Sequence, residues 1–66
     1  MTNKIKGYRN MAGFTQKEVA AEIGVSTTTY INKESNKFEF SKSEIEKIYK
    51  LLKTRISNLK LEDLFF

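Results

Sequence analysis

The stretch Gln16–Ser35, with the sequence QKEVAAEIGVSTTTYINKES, decides the fold of this 66-residue chain. Thr15 and Glu18 make a capping box, the signal that starts a helix, and Gly24 ends the apolar periodicity that follows. Ser26 then caps a second helix after only a short turn. Helices joined this tightly must cross at a steep angle, with a small residue at their contact. The stretch therefore predicts two short, crossed helices.

Cap residues and glycines divide the rest of the sequence, which contains no proline, into three further helices. We expect Ile5, Tyr8 and Met11 on the inner face of the first helix, and Phe38 and Phe40 pinning a loop to the core. The result is one compact all-α domain spanning residues 1–66. The expected helices cover about Asn3–Ala12, Thr15 to Gly24, Thr27 to Glu34 or Ser35, Ser41 to about Lys53, and about Leu61–Phe65.

The composition excludes several function classes. The chain has neither Cys nor His, so it lacks disulfides, thiolate and imidazole metal ligands, and the commonest general base. We therefore expect no metal, no cofactor and no enzymatic activity, since catalysis would need paired carboxylates in a cleft. No apolar run is long enough to span a membrane, and the amino terminus does not resemble a signal peptide. A cytoplasmic location and no membrane partner follow by default.

Positive charge is concentrated at the two ends of the chain, whose formal net charge is +4. Residues 1–17 contain four cations and residues 47–60 contain five, with no acidic residue in either segment. Two basic segments around a middle that is acidic on balance suit a polyanion held on both sides. Ordinary solubility is the alternative explanation of the charge taken alone.

The third helix carries an unusual exposed face. With Tyr30 at the centre of its buried side and about 100° per residue, the opposite arc is expected to be small and polar. Solvated helix faces normally favour Lys, Glu and Gln. Asn pairs well with adenine, and Thr and Ile methyl groups cover the thymine methyl, which favours an A·T-containing site. An accident of local composition is the alternative. The arc consists of Thr28, Ile31, Asn32 and Ser35, with Thr27 at its flank.

Phosphate contacts are expected around this arc. Unpaired N–H groups at the starts of the second and third helices attract phosphate. Gln16 lies in the first turn of the second helix, where it can reach a phosphate oxygen and buttress the third helix, or be simply a polar first-turn residue. Such contacts position a protein on DNA without reading its sequence. The further candidates are Lys6, Lys17, Ser35 and Lys37.

With these residues in place, the chain resembles the Cro and phage-repressor type of helix-turn-helix regulators, also called Xre-like. The resemblance covers about Lys4 to Leu64 and includes the segments YRNMAGFTQKEVAAEIGVS and LKLEDLFF. Gln16, Ala20 and Gly24 match the family pattern, and the apolar positions around them match as well. The resemblance implies a lambda-repressor-like DNA-binding domain of four to five helices, with the helix-turn-helix at helices 2 and 3. The matching apolar residues are Val19, Ile23, Val25 and Tyr30.

The resemblance also implies residue roles. Thr27, Thr28 and Asn32 correspond to base-contacting positions. Gln16 and Ser35 correspond to phosphate contacts, with Lys37 nearby. Arg9 and Glu34 correspond to an ion pair that ties the recognition helix to the scaffold, although a phosphate contact is an alternative for Arg9.

Three positions depart from the family pattern. Asn36 replaces a glycine after the third helix, and Asn tolerates the left-handed backbone region better than most residues. Phe40 replaces a proline in the next loop. Lys33 stands at an apolar position, where its stem is expected to cover the core while its ammonium group reaches solvent or phosphate.

The sequence thus predicts a sequence-specific double-stranded DNA-binding regulator, a repressor or Cro-like protein of a phage or prophage. So small a domain suggests a homodimer on half-sites about 34 Å apart. The apolar cluster within Leu59–Phe66 would form the dimer surface, or else simply close the core. The alternative function is a protein-interaction module of the same fold, acting as an anti-repressor or antitoxin. Exposed Ile31 and the terminal Phe65 and Phe66 keep that alternative open.

Overall fold

Four α-helices and a final 3₁₀ turn make up the structure, a computed structural model that describes residues 3–65. The expected all-α class is confirmed. The first helix starts later than expected, because Asn3 instead forms an antiparallel bridge with Phe65. The last element is a 3₁₀ turn and not an α-helix. The elements are α1 (Ile5–Ala12), α2 (Gln16–Ile23), α3 (Thr27–Glu34), α4 (Lys42–Lys53) and the 3₁₀ turn Leu61–Leu64.

Helices α2 and α3 begin and end as their cap residues predict. The Thr15–Glu18 capping box is complete, and Ser26 Oγ accepts a hydrogen bond from Thr29 N at 3.1 Å. Gly24 has φ 81°, in the left-handed region that glycine adopts at low cost. Ala20 is only 1 % exposed. This small side chain lets the two helices approach closely.

The inner face of α1 differs from the expected one. Ile5 is fully buried and Tyr8 is half-buried, but Met11 is 69 % exposed. Arg9, at 7 % exposure, and Ala12 take the place expected for Met11. The prediction for Met11 was wrong because the guanidinium of Arg9 finds hydrogen-bond partners inside the fold, which lets a charged side chain be buried.

The connector between α3 and α4 is held by one of its two phenylalanines. Phe40 packs against the core, with its ring centroid 5.8 Å from that of Tyr30. Phe38 is 54 % exposed, so the expectation that it pins the loop was wrong. The connector is therefore anchored to the core through Phe40.

One hydrophobic core joins the elements of the fold. Its buried hydrophobic residues come from all four helices and the carboxyl-terminal segment, and α2 packs against both α3 and α4. No helix within residues 3–65 has the length and apolar character needed to cross a membrane. The buried hydrophobic side chains are those of Ile5, Ala12, Val19, Ala20, Ile23, Tyr30, Ile48, Leu52, Leu59 and Leu64.

Candidate nucleic-acid interface

The outer face of α3 carries the residues that the sequence assigned to base contacts. Thr28 is exposed, Ile31 is 41 % exposed, and Thr27 and Asn32 are half-buried. Within residues 3–65, no hydrogen bond of the fold uses the side chains of Thr28 or Asn32. Their hydroxyl and amide groups therefore remain available to a ligand.

The third threonine of α3 has a different role. Ser26 Oγ donates a hydrogen bond to Thr29 Oγ1 at 2.9 Å, and Thr29 N donates back to Ser26 Oγ. Thr29 is thus committed to the helix cap. Thr27 and Thr28 are at the first two positions of α3, where backbone N–H groups have no partner within the helix.

The carboxylate of Glu34, the last residue of α3, accepts hydrogen bonds from side chains of α1, α2 and α3. Arg9 Nε donates to Glu34 Oε2 at 2.7 Å, and Tyr30 donates its hydroxyl to the same oxygen at 2.6 Å. Gln16 Nε2 donates to Glu34 Oε1 at 3.0 Å. Arg9 Nη1 also reaches the carbonyl oxygen of Phe14 at 2.9 Å. The structure therefore contains the ion pair that the resemblance implied, inside a larger cluster.

The charges of this cluster stabilise one another. Burial by itself raises the pKa of Glu34, but hydrogen bonds from Arg9, Tyr30 and Gln16 outweigh burial and leave the pKa below its usual value. Burial and the neighbouring Glu34 carboxylate raise the pKa of the Tyr30 hydroxyl. Glu34 is consequently an anion and Tyr30 a neutral donor at neutral pH. Within the described residues, no buried polar side-chain atom lacks a hydrogen-bond partner.

Gln16, the expected phosphate contact, is the first residue of α2, and a hydrogen bond orients its side-chain amide. One N–H of its amide goes to Glu34, and an amide group has a second N–H to donate. The structure thus ties Gln16 to α3, as the expectation that it buttresses the recognition helix requires. A phosphate contact through the second N–H stays a prediction.

The other candidate phosphate contacts lie at both ends of the crossed pair and on α1. Lys17 is exposed in the first turn of α2, and Lys6 is exposed in α1. Ser35 and Lys37 follow the end of α3 and are exposed as well. Ser35 Oγ donates to the carbonyl oxygen of Asn32 at 3.1 Å. The Lys37 ammonium is 5.9 Å from the centre of the Phe38 ring.

Lys33 corrects one expectation from the sequence. Its ammonium group does not extend to solvent but binds Glu44, in the first turn of α4, at 2.7 Å. A carboxylate within reach is a better partner than water for a half-buried ammonium group. The sequence did contain a signal for this ion pair, because Lys33 stands at a position where the family has an apolar residue.

Sequence reasoning also missed a contact at the end of α3. Asn36 has φ 70°, in the left-handed region as its residue type led us to expect, but its side-chain contacts were not foreseen. Its Oδ1 accepts hydrogen bonds from the backbone N and the Nδ2 of Asn3, at 3.2 and 3.0 Å. Asn3 Nδ2 also donates to the carbonyl oxygen of Lys33 at 3.4 Å. The available signal was an asparagine at a position where the family has glycine. Glycine has no side chain and could not make these hydrogen bonds.

The carboxyl-terminal apolar cluster divides into core and surface. Leu59 and Leu64 are buried in the core, which leaves them unavailable as a dimer surface. Leu61, at 44 % exposure, and half-buried Phe65 line an open groove. Phe66 lies outside the described residues. The groove is also lined by Lys42, Ile45 and Glu62.

Comparison with known proteins identifies the family. A family model described as a helix-turn-helix domain matches residues 2–60. The chain belongs to the helix-turn-helix family. It is of the Cro and Xre-like type, and α2 and α3 are its helix-turn-helix. A relative from Methanocaldococcus jannaschii, named as an uncharacterized HTH-type transcriptional regulator, is 37 % identical over 65 residues. That match covers 98 % of this chain and 91 % of the relative.

Proposed function

We propose that this helix-turn-helix protein is a sequence-specific double-stranded DNA-binding transcriptional regulator that acts as a repressor. The observation that carries the proposal is the outer face of α3, where the side chains of Thr28 and Asn32 make no hydrogen bond within residues 3–65. Recognition helices of this motif lie in the major groove and contact base edges with such residues. The resemblance to phage regulators supports a phage or prophage source. A protein that regulates transcription acts inside the cell.

In this mechanism, binding alone regulates transcription. Thr27, Thr28, Ile31 and Asn32 contact base edges, and the amide of Asn32 pairs with adenine. The resulting complex blocks a promoter by occupying it, with no chemical step. The phosphate contacts come from Lys6, Gln16, Lys17, Ser35 and Lys37.

Selection of bound duplexes from a random pool, followed by titration at two salt concentrations, tests the proposal. We expect one preferred site and an affinity that falls steeply with salt, by about 0.9 in log K per phosphate contact for each decade. Asn32→Ala should weaken binding to that site by about 1–3 kcal/mol and relax specificity at one base pair. Asn58→Ala, an exposed asparagine beyond α4, is the matched control and should leave binding unchanged.

The symmetry of the selected site tests the proposed homodimer. Leu61, Phe65 and Ile45 offer an apolar patch flanked by one cation and one anion, Lys42 and Glu62. A two-fold interface brings a patch against its own copy, so opposite charges at its edges are self-complementary. A palindromic site and a dimer on the duplex by sedimentation would support this. A single asymmetric site with one bound chain would count against it.

The same groove, together with exposed Ile31 on α3, favours the second candidate function, a module that binds another regulator. Exposed Ile31 and Leu61 would then contact a protein partner and not DNA or a second copy. The salt titration separates the two functions. Tight association with a regulator protein, together with no salt-dependent binding to any duplex, would replace the first proposal by the second.

A further inference from the structure

An ion pair joins the recognition helix to the first turn of α4. Lys33 Nζ donates to both carboxylate oxygens of Glu44, at 2.7 and 2.8 Å. The two side chains are only 18 % and 13 % exposed. The pair is therefore shielded from solvent, unlike the open surface pairs that contribute little to structure.

Glu44 is held in place by its own helix. Ser41 N donates to Glu44 Oε1 at 2.8 Å, and Glu44 N donates to Ser41 Oγ at 3.2 Å, which completes the capping box of α4. Burial alone raises the pKa of Glu44, but hydrogen bonds from Lys33 and Ser41 bring it below its usual value. Helix α4 thus presents a fixed anion to α3.

Lys33 and its neighbour Glu34 tie α3 on two different sides. Successive residues point about 100° apart around a helix. Glu34 is bound toward α1 and α2, through Arg9 and Gln16, whereas Lys33 is bound toward α4. Since Tyr30 is the only apolar side chain of α3 that is fully buried, packing alone resists a roll of α3 weakly. Two ties in different directions prevent that roll.

We propose that Lys33 and Glu44 are a positioning pair, which holds α3 at the rotation where Thr28 and Asn32 meet the base edges. The inference rests on the proposed DNA-binding function. A rotation of about 10–20° is enough to spoil a recognition geometry. Lys33 acts on DNA through Glu44 and is not itself a phosphate contact.

Glu44→Gln gives a test in which positioning and simple electrostatics predict opposite signs. Gln at this position still completes a capping box, so α4 keeps its start, but the anion is lost. Electrostatics alone predicts tighter binding to every duplex, because a negative charge disappears and Lys33 is freed. Positioning predicts that binding to the selected duplex weakens by about fivefold or more. This is the smallest loss of affinity expected when one base contact is lost. Binding to a scrambled duplex should hold or tighten.

Two further variants make the comparison specific. Glu46→Gln removes the same charge from an exposed residue of the same helix, on another side of it, and should leave the ratio of selected to scrambled affinity unchanged. Lys33→Met keeps the apolar stem and should lower the ratio as Glu44→Gln does. The double variant should lower it no further, because the two residues act as one pair. Circular dichroism establishes beforehand that each variant is folded.

The results that overturn the inference are distinct. A Glu44→Gln protein that binds the selected duplex as tightly as the parent, or single effects that simply add in the double variant, would exclude a positioning pair. If Glu44→Gln does not fold, an unchanged ratio in Lys33→Met rejects the inference in the same way. A parent protein that fails to distinguish the selected from the scrambled duplex would overturn the proposed function itself.

Discussion

Helix α3 buries one apolar side chain, that of Tyr30, whereas α4 buries Ile48 and Leu52 and rests Tyr49 and Leu51 against the core. The second buried residue of α3 carries a carboxylate, Glu34. Burial of apolar surface has no preferred direction, whereas hydrogen bonds are strongly directional. Helix α4 is therefore held by burial, and the rotation of α3 is determined by polar contacts.

This difference suits the proposed roles of the two helices. A scaffold helix needs only to stay packed, but a helix that reads base edges needs a defined rotation. The intrinsic preferences of α3 add to its dependence on tertiary contacts, because Thr27, Thr28, Thr29 and Ile31 are β-branched and lower helix propensity. Single changes in the polar contacts should thus affect α3 first.

Removal of Arg9 should give the largest effect. Arg9→Ala leaves the buried carboxylate of Glu34 without its cation, which costs about 3 kcal/mol of unfolding free energy. The free energy of DNA binding by the folded molecules should change less than the free energy of unfolding, because Arg9 is buried and Gln16 and Lys33 still hold α3. Thermal unfolding and titration below the midpoint measure the two quantities.

Lys6→Ala is the matched control for stability alone, since Lys6 is an exposed cation of the same helix but also a proposed phosphate contact. It should leave the thermal midpoint nearly unchanged. Equal midpoints for Arg9→Ala and the parent would show that α3 does not depend on this polar cluster, and the contrast with α4 would be wrong.

The same contrast explains what the sequence could predict. The start and end of α4 follow from the Ser41–Glu44 capping box and its apolar stripe, and the structure has Lys42–Lys53. The outer arc of α3 follows from helical periodicity around Tyr30. Periodicity failed at Met11 and Arg9, because it assumes that apolar side chains are the ones buried.

Periodicity and residue spacing could not predict polar contacts between distant residues, and only the family resemblance implied the Arg9–Glu34 pair. The partners of Glu34 lie up to 25 positions away along the chain, and Lys33 reaches Glu44 only because α3 and α4 meet there. Helical spacing could have indicated the Tyr30–Glu34 contact, which joins residues four apart. Leu59 and Leu64 were separable from Leu61 only once the 3₁₀ turn was known.

Acid should weaken the α3 contacts by a smaller amount than Arg9→Ala does. Glu34 and Glu44 have a pKa below the usual value in the folded protein. Their contribution to stability is therefore complete above the unfolded pKa of about 4.3 and is lost as pH falls through the folded pKa. A protonated Glu34 still accepts hydrogen bonds, so the loss is partial.

Urea unfolding between pH 7 and pH 3 measures this dependence. We expect the unfolding free energy to stay level down to about pH 5 and to fall below it. Glu34→Gln should be less stable than the parent at neutral pH and should show a shallower fall. Parallel profiles for the two proteins would mean that Glu34 does not contribute to the acid sensitivity.

The smallest predicted effect concerns how α3 and α4 end. Asn36, after α3, has φ 70°, whereas Thr54, after α4, has the right-handed φ −63°. Asn36→Gly keeps the left-handed backbone but loses the bonds to Asn3, which costs about 0.5–1 kcal/mol. Asn36→Ala should cost about 1 kcal/mol more than Asn36→Gly, because a Cβ is strained in that region.

Thr54→Gly places glycine at a helix end whose backbone is right-handed, the opposite of Asn36. Glycine gains nothing in a right-handed conformation and loses more chain entropy on folding, and the bond from Thr54 Oγ1 to the carbonyl oxygen of Leu51 (2.6 Å) is lost as well. This change should therefore destabilise by about 1 kcal/mol or more. Urea unfolding of these variants gives the ranking. If Asn36→Ala were as stable as Asn36→Gly, the left-handed turn would not be what ends α3. The Asn3 contact would then account for the whole effect of Asn36, and the end of the recognition helix would depend on polar contacts alone.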